Sequence, residues 1–244
     1  GGFVLVFGTA ADGSYLGYVT GGTFNEHRDV NFTPQEGEEV LSACVDGFGN
    51  VTILTLNGEE TLLYTYDSES QLTGGGNLGE LLSVGESAKI IACDEGSYIS
   101  YGFDSIAFVG KDGKLAGNVK LGTWTVAGLC KDNTGAVTAA LMDGGKSAVA
   151  RIEGLELAEV TDSGTLSSSA YAICGGTSAY PVVANFTDGL RGFDGSQWVM
   201  LCEYYDNDFN AYEIVGLVCI GEMEFAAVRY APDGMSLLML SENE

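Results

Sequence analysis

Five cysteines recur along the 244-residue chain at a nearly regular interval: Cys44, Cys93, Cys130, Cys174 and Cys219 stand 49, 37, 44 and 45 residues apart. Each closes a short apolar run: Val40-Leu41-Ser42-Ala43-Cys44, Ile90-Ile91-Ala92-Cys93, Ala127-Gly128-Leu129-Cys130, Tyr171-Ala172-Ile173-Cys174 and Gly216-Leu217-Val218-Cys219. A second marker keeps step with the first. The pairs Asn57-Gly58, Asp104-Ser105, Asp143-Gly144, Asp188-Gly189 and Asp233-Gly234 follow those cysteines by 13, 11, 13, 14 and 14 residues. Asn-Gly and Asp-Gly suit the left-handed angles of a two-residue hairpin. Two independent features held at one offset five times define a repeat, and a period of this length means stacked supersecondary units.

Each unit reads as a strand a ending in Cys, a strand b, a hairpin, a strand c, and a more polar, glycine-rich strand d suited to an outer edge. In the second copy these fall at 40–45, 51–56, 61–66 and 71–78. A sixth hairpin at Asp12-Gly13 separates apolar runs at 3–7 and 15–19, and its strand a would precede residue 1. The last copy, ending near Leu240, lacks its closing strand. Either one unit is three-stranded or the chain is cut from a longer protein. Glycine, at 36 residues against 3 prolines, fits many short strands joined by tight turns, and no stretch carries a helical period. The repeats run approximately 1–38, 39–86, 87–123, 124–168, 169–213 and 214–244, read as one domain.

Four antiparallel strands every 40 to 45 residues resemble the blades of the β-propeller superfamily over essentially the whole chain. The Gly-His and Trp-Asp marks of WD40 blades are missing, and the kelch double glycine does not recur. The resemblance implies an all-β propeller of about six four-stranded blades. A β-sandwich is the alternative fold.

Charge narrows the partners. Ten Lys and Arg against 34 Asp and Glu give a net charge of −24, which repels phosphate backbones and anionic lipid surfaces. Nucleic acid and membrane insertion are therefore not expected, and no apolar run approaches the ~18 residues of a membrane span. The opening Gly1-Gly2-Phe3-Val4-Leu5-Val6-Phe7 lacks a basic start and reads as a strand rather than a signal peptide. The plain meaning of the acidity is solubility.

Several residues could carry chemistry. The strand-a cysteines read as small buried apolar side chains; a thiol ring for a soft metal is the sharper alternative. Cys202 falls on an expected c strand at 198–205. Six free thiols suit an oxidising exterior poorly. His27, beside Arg28, is the only histidine and reads as a loop residue, so neither a catalytic triad nor a His-based zinc site is expected. Asp46, Asp94, Glu95, Asp132 and Glu222 follow the strand-a cysteines and fall on one rim, where they serve either turn geometry or a hard cation. Asp206-Asn207-Asp208-Phe209-Asn210 places oxygen ligands at Asp206, Asp208 and Asn210 like the start of a calcium loop. Ala211 and Leu217 stand where that loop wants Gly and Glu. No cofactor is expected, Ca²⁺ at this run apart.

In propellers, as the resemblance implies, ligands sit on the face formed by the d–a and b–c loops. That face would carry Trp124, Asp143 and Asp188. It would also carry Arg191, Phe193 and Asp194 from a long b–c loop at 188–197, and long loops on a rigid scaffold are where function concentrates. The reading is a non-catalytic recognition module, extracellular or in the cell envelope, that binds a protein or a glycan and is joined to a further domain of its parent chain. A propeller-type glycoside hydrolase using Asp104, Asp143, Asp188 and Asp233 is a second reading. A metal-stabilised scaffold is a third.

Overall fold

The computed structural model describes residues 3–10, 13–20, 26–29, 32–46, 48–102, 104–132, 134–164, 172–176, 182–186, 189–203, 213–221, 224–231 and 234–241. Among them every regular element is a strand, so the all-β expectation holds. The chain forms two compact units, Gly1–Val119 and Lys120–Glu244.

The first unit holds three antiparallel sheets, each a meander in chain order. They are β1 (Phe3–Ala10), β2 (Gly13–Thr20) and β3 (Glu26–Asp29); then β4 (Glu38–Val45), β5 (Val51–Asn57), β6 (Glu60–Tyr66) and β7 (Leu72–Asn77); then β8 (Ala88–Cys93), β9 (Gly96–Tyr101), β10 (Ser105–Gly110) and β11 (Leu115–Asn118). The second unit repeats the plan with β12 (Thr125–Lys131), β13 (Val137–Asp143), β14 (Lys146–Glu153) and β15 (Glu156–Gly164). It continues with β16 (Ile173–Gly175), β17 (Val182–Phe186), β18 (Gly189–Phe193) and β19 (Trp198–Glu203), and ends with β20 (Glu213–Gly221), β21 (Glu224–Ala231) and β22 (Gly234–Ser241).

The expectation of six four-stranded blades is corrected by this topology. Four sheets have four strands, and the first and last have three among the described residues. The fold is of β-propeller type, built from blade-like meanders.

The cores follow from strand periodicity. Successive side chains face opposite sides of a sheet, so a sheet packed on both faces reads as a continuous apolar run. Val182, Val183 and Ala184 of β17 are all buried for this reason. Val182 and Ala184 pack with Cys130, Ala140, Val149 and Trp198 on one side. Val183 packs with Leu190, Leu201, Ile214 and Phe225 on the other. In the first unit, Leu54, Leu56 and Leu63 of the second sheet meet Ile90, Ile99, Ala107 and Val109 of the third. The opposite face of the second sheet, Val40, Val51, Ile53 and Tyr66, is covered by Phe32 and Tyr64.

Three sequence expectations need local correction. The segment 188–197 is not one loop, because its centre is strand β18, paired to β17 and β19. Cys202 consequently lies on β19, a strand d, and not on a strand c. His27 sits in β3, opposite Val19, rather than in a loop.

Candidate functional site

Adjacent sheets leave a groove where the packed rows of the first unit give out. One step beyond the Leu54–Leu63 pair, the second sheet presents Thr52, Thr65 and Gly74 in register across β5, β6 and β7. The third sheet presents Ala92 and Ser97 in register across β8 and β9. Small side chains on both sheets keep the rows from filling the space between them. The result is a groove of about 510 Å³ whose walls also include Asp46, Phe48, Asn50, Cys93, Asp94 and Lys111.

The far wall depends on glycine. A Cβ on Gly76 would strike the Gly113 carbonyl oxygen, and one on Gly113 would strike that of Gly75. The β10–β11 turn therefore rests directly on the backbone of β7, as only glycine allows at such close approach.

The a–b and c–d turns are built to one plan in both units. The Asp46 carboxylate accepts from the backbone N–H groups of Phe48 (2.8 Å) and Asn50 (2.9 Å) and from Asn50 Nδ2 (2.7 Å). Asp46 N–H donates to Asn50 O, and Gly49 N–H to Asp46 O. Asp132 repeats the arrangement with Thr134 and Ala136. Asp67 repeats it with Glu69 and Gln71. Asp194 does so with Ser196 and Gln197, and those hydrogen bonds lower its pKa. These are Asx turns. Of the rim carboxylates expected from the sequence, Asp46 and Asp132 serve turn geometry.

One consequence is that Phe48, 80 % exposed, stands at the tip of a rigid turn over the groove. Its setting, Asp46-Gly47-Phe48-Gly49-Asn50, fits the turn expected at Asp46, but the sequence reading did not single out Phe48.

Sequence reasoning also missed Glu38. This carboxylate is 6 % exposed at the start of β4. It accepts from Thr55 Oγ1 (2.5 Å), Tyr64 Oη (3.0 Å) and the Gln35 N–H (2.8 Å). Burial, and then the hydrogen bond and charge of Glu38, push the Tyr64 hydroxyl up to about 12. Buried and engaged by three donors, Glu38 ties strands together rather than facing a ligand.

The expected site residues do not share one surface. Trp124, half-buried, and Asp143 do lie close, because Thr123 Oγ1 donates to Asp143 Oδ2 at 2.7 Å and joins the segment before β12 to the β13–β14 turn. Phe193, 5 % exposed, packs in the core with its ring centroid 5.5 Å from that of Trp198. Arg191 is half-buried on β18. Asp194 lies in the c–d turn between β18 and β19. Asp188, Asp206, Asp208, Asn210, Glu222 and Asp233 lie outside the described residues. Asp104 accepts from Ser105 Oγ.

All six cysteines are free; Cys130, Cys174 and Cys202 are buried and the others half-buried. Burial drives the Cys174 thiol well above its ordinary range, and the charges of the nearby Cys130 and Cys219 add to the effect. Among the described residues, no three of His, Cys, Asp and Glu are grouped to hold a metal ion.

The blade-like meanders define a fold of propeller type. A virginiamycin B lyase from Staphylococcus aureus, as a catalytically inactive variant with quinupristin, matches at a TM-score of 0.56 and 11 % identity, over 100 % of this chain and 75 % of that one. Its selenomethionine form matches at 0.55 and 9 %, over 100 % and 90 %. A PQQ-bound aldose sugar dehydrogenase from Streptomyces coelicolor matches at 0.56 and 11 %, over 98 % and 91 %. No protein-family model and no curated protein matches the sequence.

Proposed function

We propose that the protein is a non-catalytic recognition module that binds a protein or glycan ligand in the groove between the second and third sheets. The exposure of Phe48 on a turn locked by Asp46 carries this reading. A large aromatic ring held in water has no packing role, and a preorganised anchor lowers the ordering cost of binding. The groove volume lies within the range of ligand sites. The corner formed by Thr123, Trp124 and Asp143 belongs to the proposal as a second contact surface. An extracellular or cell-envelope location belongs to it too, and recovery of the native protein in the cytosolic fraction would contradict that part.

The test is thermal denaturation of the full chain against neutral oligosaccharides and against a peptide library. A ligand at 100 times its Kd stabilises by roughly 2.7 kcal/mol, on the order of 5–10 °C for a chain of this length. The expected result is a shift with one class that disappears in Gly74→Leu. Gly74 lies beside Thr65 in the register, and a Cβ there meets only Thr65 Cβ at 3.8 Å, so the larger side chain fills the groove without straining the backbone. A shift that Gly74→Leu leaves intact, or no shift with either class, overturns the reading.

A further inference from the structure

The groove's lining narrows the ligand class, an inference that rests on the recognition reading above. Its ionisable side chains are Asp46, Asp94, Lys111 and Cys93. Asp46 is spent on its own turn, where three hydrogen bonds engage it. Asp94 and Lys111 remain, both exposed, one of each sign. A polyanion would meet a single cation on a chain of net charge −24, and long-range repulsion opposes it. A polycation finds one uncommitted carboxylate. The remaining hydrogen-bonding groups within reach are Thr65, Thr73, Asn50 and the glycines of β7, since Thr52 and Ser97 are buried.

An apolar ligand fits no better. Leu63 is 5 % exposed and Ala92 is 7 % exposed, so the groove offers no deep aliphatic pocket of the kind that reads a hydrophobic peptide side chain. Phe48 is the one large apolar surface, and it lies at the mouth as a platform rather than in the floor as a socket.

We infer that this groove takes a neutral oligosaccharide, one pyranose ring laid with its apolar C–H face against Phe48. The ring hydroxyls then meet Asp94, Lys111, Asn50 and the threonines. A pyranose combines an apolar face with a rim of paired donors and acceptors. The groove matches that combination with one aromatic ring beside groups that both donate and accept. Asn50 suits the task because one of its amide hydrogens is fixed on Asp46 Oδ2, which orients the free carbonyl and the second N–H.

The experiment uses the full chain on an array of neutral oligosaccharides built from glucose, galactose, mannose, xylose and N-acetylglucosamine, followed by titration calorimetry of the best binder with wild type, Phe48→Ala and Asp94→Asn. Phe48 is 80 % exposed, so its truncation leaves the fold intact, and matching thermal melts of the variant and wild type check this. The expected result is binding that weakens about tenfold or more in Phe48→Ala, the factor that ~1.4 kcal/mol of lost contact gives. A smaller loss is expected in Asp94→Asn. No binding on the array, or binding that both variants leave unchanged, overturns the saccharide inference. If peptides then bind in a manner sensitive to Phe48→Ala, the recognition reading stands without it. If nothing binds in that manner, both fall.

Discussion

Asp46, Asp67 and Asp132 each set a five-residue turn by accepting two backbone N–H groups with one carboxylate oxygen. Replacing Asp132 by Ala leaves those donors to water and removes its 3.9 Å ion pair with Arg151, which keeps Glu159 at 3.3 Å. The expected loss is about 1–2 kcal/mol by urea denaturation, and Asp132→Asn should recover much of it. Glu38 is a harder case because it is buried. Glu38→Ala strands Thr55 and Tyr64 and should cost about 2–3 kcal/mol, whereas Tyr64→Phe should cost less. The same cluster sets a pH dependence. Tyr64 has its folded value raised from 10.0 to about 12, so its contribution is complete below pH 10 and is lost as pH rises towards 12. Cys174, raised above 9.0, acts in the same direction from pH 9 upward. Stability followed by urea midpoint should therefore fall on the alkaline side, and Tyr64→Phe should flatten the upper part of that fall. An unchanged midpoint up to pH 11 would contradict the assignment.

At the level of strands and turns, glycine decides how closely neighbours approach. Gly74 and Gly75 are adjacent on β7 yet should behave differently. Gly74→Ala meets ordinary contact, whereas Gly75→Ala meets the Leu63 carbonyl at a φ of +144°. The second change should cost about 2 kcal/mol more than the first, measured as the difference in urea midpoints. Strands of the second copy were legible in the sequence to within two residues because turn chemistry brackets them: Asn57-Gly58 closes β5, and the Asp67 turn closes β6. The strand at Gly189–Phe193 was not legible. Gly-Leu-Arg-Gly-Phe has the composition of a loop, and two turns close to it merged into one. It is a strand because Leu190 and Phe193 fill opposite cores. That error placed Phe193 on a binding face and moved Cys202 to the wrong strand. Phe48 was hidden for the opposite reason. The surrounding glycines look like ordinary loop punctuation, and only the Asp46 hydrogen bonds show that the ring is held out rather than folded in.

For the molecule as a whole, the repeat of cysteine strand and hairpin was enough to indicate an all-β, propeller-type chain. The same markers left the first copy without its opening strand and the last without its closing strand, as the three-stranded terminal sheets have it among the described residues, and counting those two copies as full blades is what made six. Net charge acts at this scale too. With −24 on 244 residues, self-repulsion opposes compaction and added salt screens it. Raising NaCl from low to physiological strength should stabilise by about 1 kcal/mol, roughly 2–4 °C in Tm. A flat response would mean that the carboxylates are already compensated locally, as Asp46 and Asp132 are by their turns. The central claim remains the groove, and hydrogen–deuterium exchange on the full chain with the best-binding neutral oligosaccharide addresses it directly. Protection confined to 46–52, 63–65, 73–75, 92–97 and 110–113 is the result expected of a ligand seated under Phe48. Protection elsewhere with these segments unchanged would contradict it.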